Sequence, residues 1–283
     1  MTRHPDWIRV QVAETGEFFQ TRRVVQEFNL HTVCEEARCP NVRECWAHGT
    51  ATFMLGGDTC TRGCRFCAVA HGRPQPLDSD EPRRLAEAVQ ALQLQHVVVT
   101  AVARDDLPDG GAAHFAATAE AIKRLTPACR VEVLIPDFRG DKDALRLVVD
   151  APIDVLDHNL ETVPRLYTRV RPGAVYERSL RVLELGKCWR SDLVTKTGLM
   201  VGLGETTAEL TAVFTDLQAV DCEVLTMGQY LRPSLQQLPV ERYVPPDEFA
   251  TLRAVALRYG FRHVEAGPLV RSSYHAWEHV PRQ

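Results

Sequence analysis

The sequence predicts an α/β fold built on a parallel sheet, with six βα units suggesting a partial (β/α)6 barrel. The first observation is periodic. From residue 51 onward, apolar β-rich runs at 52–57, 96–102, 130–136, 153–157, 193–201 and 223–230 alternate with helical patterns near 81–94, 111–125, 141–149, 175–188 and 206–219. Such alternation implies parallel strands joined by right-handed crossovers. The second is positional. Cysteines, glycines and polar residues gather just after the predicted strands, where parallel α/β folds place their chemistry. The third is size: 283 residues at 45 % hydrophobic and 25 % charged suffice for a large core in one domain or two small ones. Composition alone does not separate a partial barrel from a doubly wound sheet.

Taken in order, residues 1–30 are polar, with one apolar-periodic stretch around Val24, Val25 and Phe28 that predicts a short helix in a docked arm. Cys34, Cys39 and Cys45 follow as Cys-x4-Cys-x5-Cys, with Pro40 and Asn41 favouring a turn that folds the thiols inward. The first predicted strand runs into Gly56-Gly-Asp-Thr-Cys60-Thr-Arg-Gly-Cys64-Arg-Phe-Cys67, a Cys-x3-Cys-x2-Cys set on one loop. Soft thiolates at this spacing suit zinc or an iron–sulfur cluster, and three are one short of the usual four. Thr100 to Gly111, with Asp105 inside it, follows the second strand; Asn159 and Glu161 follow the fourth; Gly202 to Glu205 follows the fifth. The connection 158–174 has no clear pattern. Pro245-Pro246 opens a helix that ends at Tyr259-Gly260, and a final strand at 262–266 leads to Arg271-Ser-Ser-Tyr274.

The bulk numbers exclude several classes. A formal net charge of −4 gives no reason to expect a nucleic-acid or membrane surface. No apolar run approaches a membrane helix of about 20 residues, and the first 20 residues resemble neither a secretory signal nor a transit peptide. Nine cysteines in such a chain point to metal ligation in a reducing, cytoplasmic setting.

The Cys60–Cys67 loop resembles the cluster motif of the radical S-adenosylmethionine (SAM) superfamily. There, three cysteines hold a [4Fe–4S] cluster whose open iron binds SAM, and the reduced cluster cleaves SAM to a 5′-deoxyadenosyl radical. Phe66 matches the aromatic before the last cysteine, an adenine contact. The likeness is closer to the lipoyl synthases. It rests on Cys34-Glu-Glu-Ala-Arg-Cys39-Pro-Asn, Gly57 to Val69, Thr100 to Ala112, Asp157 to Thr162, Lys196 to Glu205, Met227 to Pro233 and Arg271 to Ala276, and it spans about residues 30–280. Gln236-Gln-Leu-Pro departs from the family, which usually has histidine before Leu-Pro; it reads as surface variation.

This resemblance selects the partial barrel of the radical SAM type, spanning 51–232, with an N-terminal extension (1–50) and a C-terminal cover (233–283). It implies an enzyme that inserts sulfur at C6 and C8 of an octanoyl chain on a lysine of a carrier domain. It also implies two [4Fe–4S] clusters: Cys60, Cys64 and Cys67 hold the SAM-cleaving one, and Cys34, Cys39 and Cys45 hold a sacrificed sulfur donor completed by Ser273, with Ser272 as fallback. The expected partners are octanoylated carriers of 2-oxoacid dehydrogenases and glycine cleavage, an electron donor such as flavodoxin or ferredoxin, and a cluster supplier. Thr100, Asp105, Asn159, Glu161, Lys196 and Gly202 are candidate SAM contacts. Asn159 reads equally as a helix N-cap, and Gly202 as a tight turn. Cys129, Cys188 and Cys222 read as buried small hydrophobes, and His71 and His158 as hydrogen-bonded structural histidines. The rival readings are another radical SAM sulfur-inserting enzyme, such as a methylthiotransferase, and a non-enzymatic iron–sulfur carrier.

Overall fold

A computed structural model describes residues 4–9, 15–47 and 51–279. The N-terminal part holds helix α1 (Gly16–Glu27), strand β1 (His31–Thr32), and helices α2 (Val33–Glu36) and α3 (Val42–Ala47). Thr15 caps α1 by accepting from Phe18 N, and α1 turns Phe18, Thr21, Val24 and Val25 inward, with Phe18 against Trp46 of α3. The predicted short helix is therefore present, packed through the same valines.

The main sheet then builds by alternation: β2 (Thr52–Leu55), the two-stranded β3 (Thr59–Cys60) and β4 (Ala70–His71), α4 (Glu81–Ala91), β5 (His96–Ala101), α5 (Ala112–Leu125), β6 (Arg130–Leu134), α6 (Lys142–Asp150) and β7 (Val155–Asp157). It continues with α7 (Tyr167–Val170), α8 (Tyr176–Trp189), β8 (Val194–Val201), α9 (Thr207–Ala219), β9 (Val224–Gln229), α10 (Pro246–Arg258) and β10 (His263–Gly267). The strand order is β1-β2-β5-β6-β7-β8-β9-β10, with β1 antiparallel to β2 and every later pair parallel. Each predicted strand and helix falls within a few residues of its element. The segment 158–174, which has no clear sequence pattern, forms a short 3-10 turn and α7. The last strand does more than lead into the cover: β10 pairs with β9 from His263↔Val224 to Gly267↔Gly228, so the sheet continues past residue 232.

Strand alternation sorts the side chains. Phe53, Leu55, Val97, Val99, Val131 and Val133 face helices α4 to α6 in one core, and Leu199, Val201, Leu225, Met227 and Val264 face α9 and α10 in a second. The other face of the same strands carries Thr52, His96, Thr100, Glu132, Asp157, Lys196, Gly198 and Thr226, a polar interior buried as thoroughly as the core. The sheet curls around this interior, and the C-terminal segment enters it. Ser273 meets Thr52 of β2, Ser272 meets Asp157 of β7, and His279 lies against His263 of β10. No helix of the described residues is long and apolar enough to cross a membrane.

Candidate active site

The C-terminal ends of the strands open onto a cavity of about 790 Å³. Both cysteine triads line it, together with Phe66, Thr100, Asn159, Glu161, Arg271, Ser272 and Ser273. Two sets of thiols separated in sequence are thus brought to one space.

The Cys60 loop is held by backbone bonds to three other segments of the chain. Thr61 N donates to Ala103 O (3.0 Å), Arg65 N to Val170 O (2.9 Å) and Leu238 N to Arg65 O (3.0 Å). Arg62 adds an ionic anchor: its Nε and Nη2 bind both oxygens of Asp105 at 2.7 Å, and Nη2 reaches Asp137 at 2.7 Å. Burial would raise the Asp137 carboxyl, but Arg62 overrides it and holds the group at about 2. The backbone N–H groups of Arg62 and Ala103 donate to Cys60 Sγ at 3.4 and 3.3 Å. Burial pushes the Cys67 thiol up to about 12, with Cys64 and Cys60 adding to the rise, and Cys64 is raised from the same first cause.

The Cys34 triad sits on α2, a turn and α3. Cys39 N donates to Cys34 O (3.0 Å), and Cys45 N to Asn41 O (2.9 Å). Burial and then Cys39 push Cys34 up to about 12; Cys45 is raised by burial and by both other thiols; Cys39 is raised by burial, which Arg271 opposes. Packed neutral thiols of this kind become thiolates only when a cation supplies the opposing charge. The donor sets therefore fit soft metal centres.

The C-terminal segment clasps this second triad. Asn41 Nδ2 donates to Leu269 O (2.6 Å), Tyr274 Oη to Glu44 Oε1 (2.9 Å) and Thr52 Oγ1 to Ser273 Oγ (2.8 Å). Ser272 Oγ lies 2.8 Å from Asp157 Oδ2 and 3.2 Å from Asn159 Oδ1. Glu161 adopts φ 67, a left-handed conformation unusual for a side-chain-bearing residue, and its carboxyl is raised by burial, which Arg171 opposes. Arg171 Nη1 also donates to the carbonyl oxygen of Asn159 (2.7 Å), fixing that corner.

Residues 54–217 match the Radical SAM superfamily. The lipoyl synthase of Chloroflexus aggregans is 55 % identical over 278 residues, 98 % of this chain and 91 % of that protein. The chain belongs to the lipoyl synthase family. The lipoyl synthase of a Roseiflexus species is 54 % identical over 281 residues, 99 % of this chain and 93 % of that protein. Solved structures agree in fold. SuiB of Streptococcus suis bound to S-adenosylmethionine superposes with TM-score 0.61 at 10 % identity, over 81 % of this chain and 55 % of that one. Methylornithine synthase superposes at 0.56 and 11 % identity, over 89 % and 79 %. The chain is thus a radical SAM enzyme with the partial barrel of that superfamily, whose members use SAM and a [4Fe–4S] cluster.

Several expected contacts are elsewhere. Among the expected SAM contacts, Phe66, Thr100, Asn159 and Glu161 line the cavity, whereas Asp105, Lys196 and Gly202 do not. Asp105 is taken by Arg62. Lys196 lies deeper in the barrel, 0 % exposed, with Nζ 2.6 Å from Glu132 Oε1 and 4.0 Å from Asp157 Oδ2. Gly202 serves packing: at φ +95 an added Cβ would collide with Gln229 and the Arg242 carbonyl. The Gly110-Gly111 end of the Thr100–Gly111 motif lies outside the cavity lining and opens α5. The residue directly before Leu-Pro, Gln237, is not surface variation; it lines the cavity and donates Nε2 to Cys67 O (3.1 Å). Cys129 and Cys222 are buried as expected, but Cys188 is exposed. His158 is held by Ile135 O at 2.7 Å, and its Nε2 has no partner among the described residues. Arg62 stands inside the Cys60 motif, but Asp137 and Arg171 lie outside every motif of the sequence, and isolated charges carry no periodic signal.

Proposed function

We propose that this chain inserts sulfur at C6 and C8 of an octanoyl chain carried on a lysine of a lipoyl carrier domain, forming the lipoyl group. The observation that carries the reading is that both triads, Cys34–Cys39–Cys45 and Cys60–Cys64–Cys67, line one cavity. Unactivated C–H bonds yield to no acid, base or nucleophile in that cavity, so the chemistry belongs to cofactors that the protein positions. Bound there, SAM with a [4Fe–4S] cluster on Cys60, Cys64 and Cys67 supplies a radical, and a second [4Fe–4S] cluster on Cys34, Cys39 and Cys45 supplies sulfur.

The residues then have separate tasks. Arg62 fixes the first loop through Asp105 and Asp137. Phe66, Asn159 and Glu161 offer a ring face and polar groups for the adenosine of SAM, and Thr100 shapes the adjoining wall. Ser273 completes the second ligand set. Its partner Thr52 adjoins the Cys34 site, while Ser272 is engaged by Asp157 and Asn159, which favours Ser273 over Ser272 as the ligand. A hard oxygen among soft thiolates is the weakest corner of such a set, in keeping with a cluster consumed once per product and rebuilt by a supplier. In this reading residues 1–50 carry the second cluster, 51–232 form the body of the barrel, and 233–283 add its last strand, β10, and cover it. The natural substrates are octanoylated carriers of 2-oxoacid dehydrogenases or glycine cleavage in the cytoplasm, with flavodoxin or ferredoxin as reductant.

Anaerobic incubation with SAM, a reductant and an octanoyl-lysine peptide tests this. The expected product carries two added sulfur atoms and appears with 5′-deoxyadenosine. SAM cleavage with no sulfur in the peptide would overturn the proposal.

A further inference from the structure

The floor of the barrel, beneath the cavity, holds a group of ligating side chains that the chemistry above leaves unused. His263 and Glu265 stand two apart on β10, so both project from the same face of the strand. Their register partners, Val224 and Thr226 on β9, identify that face as the barrel interior. His279 arrives from the end of the C-terminal segment, its ring 4.7 Å from that of His263. One ligand atom from each of His263, Glu265 and His279 lies within 4.8 Å of the others.

The polar accounting is unbalanced. His279 is 2 % exposed, yet neither ring nitrogen has a hydrogen-bond partner among the described residues, and His263 Nε2 has none either. At 3.6 Å, Glu265 Oε2 is too far from His263 Nε2 for a hydrogen bond. Buried polar atoms are normally satisfied. Leaving three nitrogens unmet beside a carboxylate needs a reason. The nearby positive charge, Lys196, is already paired with Glu132 at 2.6 Å, and His96 is bound to the same carboxylate at 3.0 Å. The His263 and Glu265 side chains are 25 % and 28 % exposed, which leaves an entry path.

We propose that His263, Glu265 and His279 form a binding site for a divalent cation of the zinc class. Two imidazoles and one carboxylate, with a fourth position left to water, are a common zinc donor set. Closing to metal–ligand distances of about 2.0–2.2 Å draws the side chains in by roughly 1 Å. The site would staple the C-terminal segment to the barrel floor, six residues beyond the serine proposed as a cluster ligand.

The test uses the protein with both clusters loaded, exposed to Zn2+ and then desalted, with zinc and iron counted per chain. Wild type should retain about one zinc with iron unchanged. Glu265→Gln, a conservative change on a partly exposed edge, and His279→Leu should each weaken zinc retention by at least about tenfold. Hydrogen exchange of residues 268–279 should slow about tenfold at a free zinc concentration ten times Kd, in wild type only. The proposal is overturned if no zinc is retained, if both variants retain as much as wild type, or if zinc enters only as iron leaves, which would place it on the cysteines.

Discussion

Cys60, Cys64 and Cys67 lie on one short stretch running from the end of β3 into the loop before β4, whereas Cys34, Cys39 and Cys45 come from two short helices and the turn between them. The first loop is sewn to the barrel by the backbone bonds at Thr61 and Arg65 and by a buried ion pair at Arg62. The second depends on the far end of the chain: Asn41 to Leu269, Glu44 to Tyr274 and Thr52 to Ser273, contacts spanning 221 to 230 residues. A site built into a rigid scaffold keeps its geometry through many events. A site completed by a distant segment can be opened by moving that segment, which is what the proposed sacrifice of its cluster would require.

The sharpest way to break this comparison is to empty each site. Changing Cys60, Cys64 and Cys67 together to alanine should abolish SAM cleavage. The same change at Cys34, Cys39 and Cys45 should leave cleavage measurable while sulfur insertion stops. Equal cleavage in the two triple variants, read as 5′-deoxyadenosine, would erase the distinction. The next largest effect is expected at the clasp. Ser273→Ala should still cleave SAM but form lipoyl product at least roughly a hundredfold more slowly, since losing a ligand costs no less than losing a contact that supports one. Unimpaired product in the Ser272, Ser273 double-alanine variant would remove both serines from the mechanism.

The comparison also marks how far the sequence could be read. The alternation of strands and helices was legible because hydrophobic period is a local signal, and both triads were legible because ligand spacing is too. Lys196 shows the limit. Its burial in an apolar strand was visible, but its partners Glu132 and Asp157 lie on two other strands, and no spacing along the chain reveals which strands are neighbours. Gln237 shows the same limit from outside: a glutamine in a loop reads as surface until the fold folds that loop over Cys67. The docking of the C-terminal segment into the barrel, and β10 as a seventh parallel strand, likewise depend on tertiary packing.

A third difference between the two sites is electrostatic. Asp137 is held at about 2: burial works to raise it, and Arg62 outweighs the burial. A carboxyl depressed in the folded state stabilises fully above its unfolded value of about 4 and loses that contribution as pH falls toward the folded value. The shift corresponds to roughly 2 kcal/mol. Urea unfolding of wild type should therefore weaken between about pH 4 and pH 2 more steeply than that of Asp137→Asn. Parallel pH profiles would detach the Arg62 anchor from stability.

The smallest expected effect tests the clasp where it is weakest. Tyr274 Oη donates to Glu44 Oε1 at 2.9 Å, and its ring stacks on His275 with centroids 3.9 Å apart. Burial first, then Glu44, raises the phenol, so it stays protonated and remains a donor at working pH. Tyr274→Phe keeps the stacked ring and deletes only the hydroxyl. A partly buried hydrogen bond to a carboxylate contributes about 1–2 kcal/mol, so the clasp should open roughly fivefold or more readily. Because Glu44 precedes Cys45 on α3, the opening should be felt at the second triad alone. Iron release to a chelator should quicken for about half of the iron, the half assigned to Cys34, Cys39 and Cys45, while 5′-deoxyadenosine formation stays at the wild-type rate. If the variant instead loses iron from both sites in parallel, or loses SAM cleavage with it, the two centres are mechanically one, and the contrast between a scaffold-held and a clasp-held site fails.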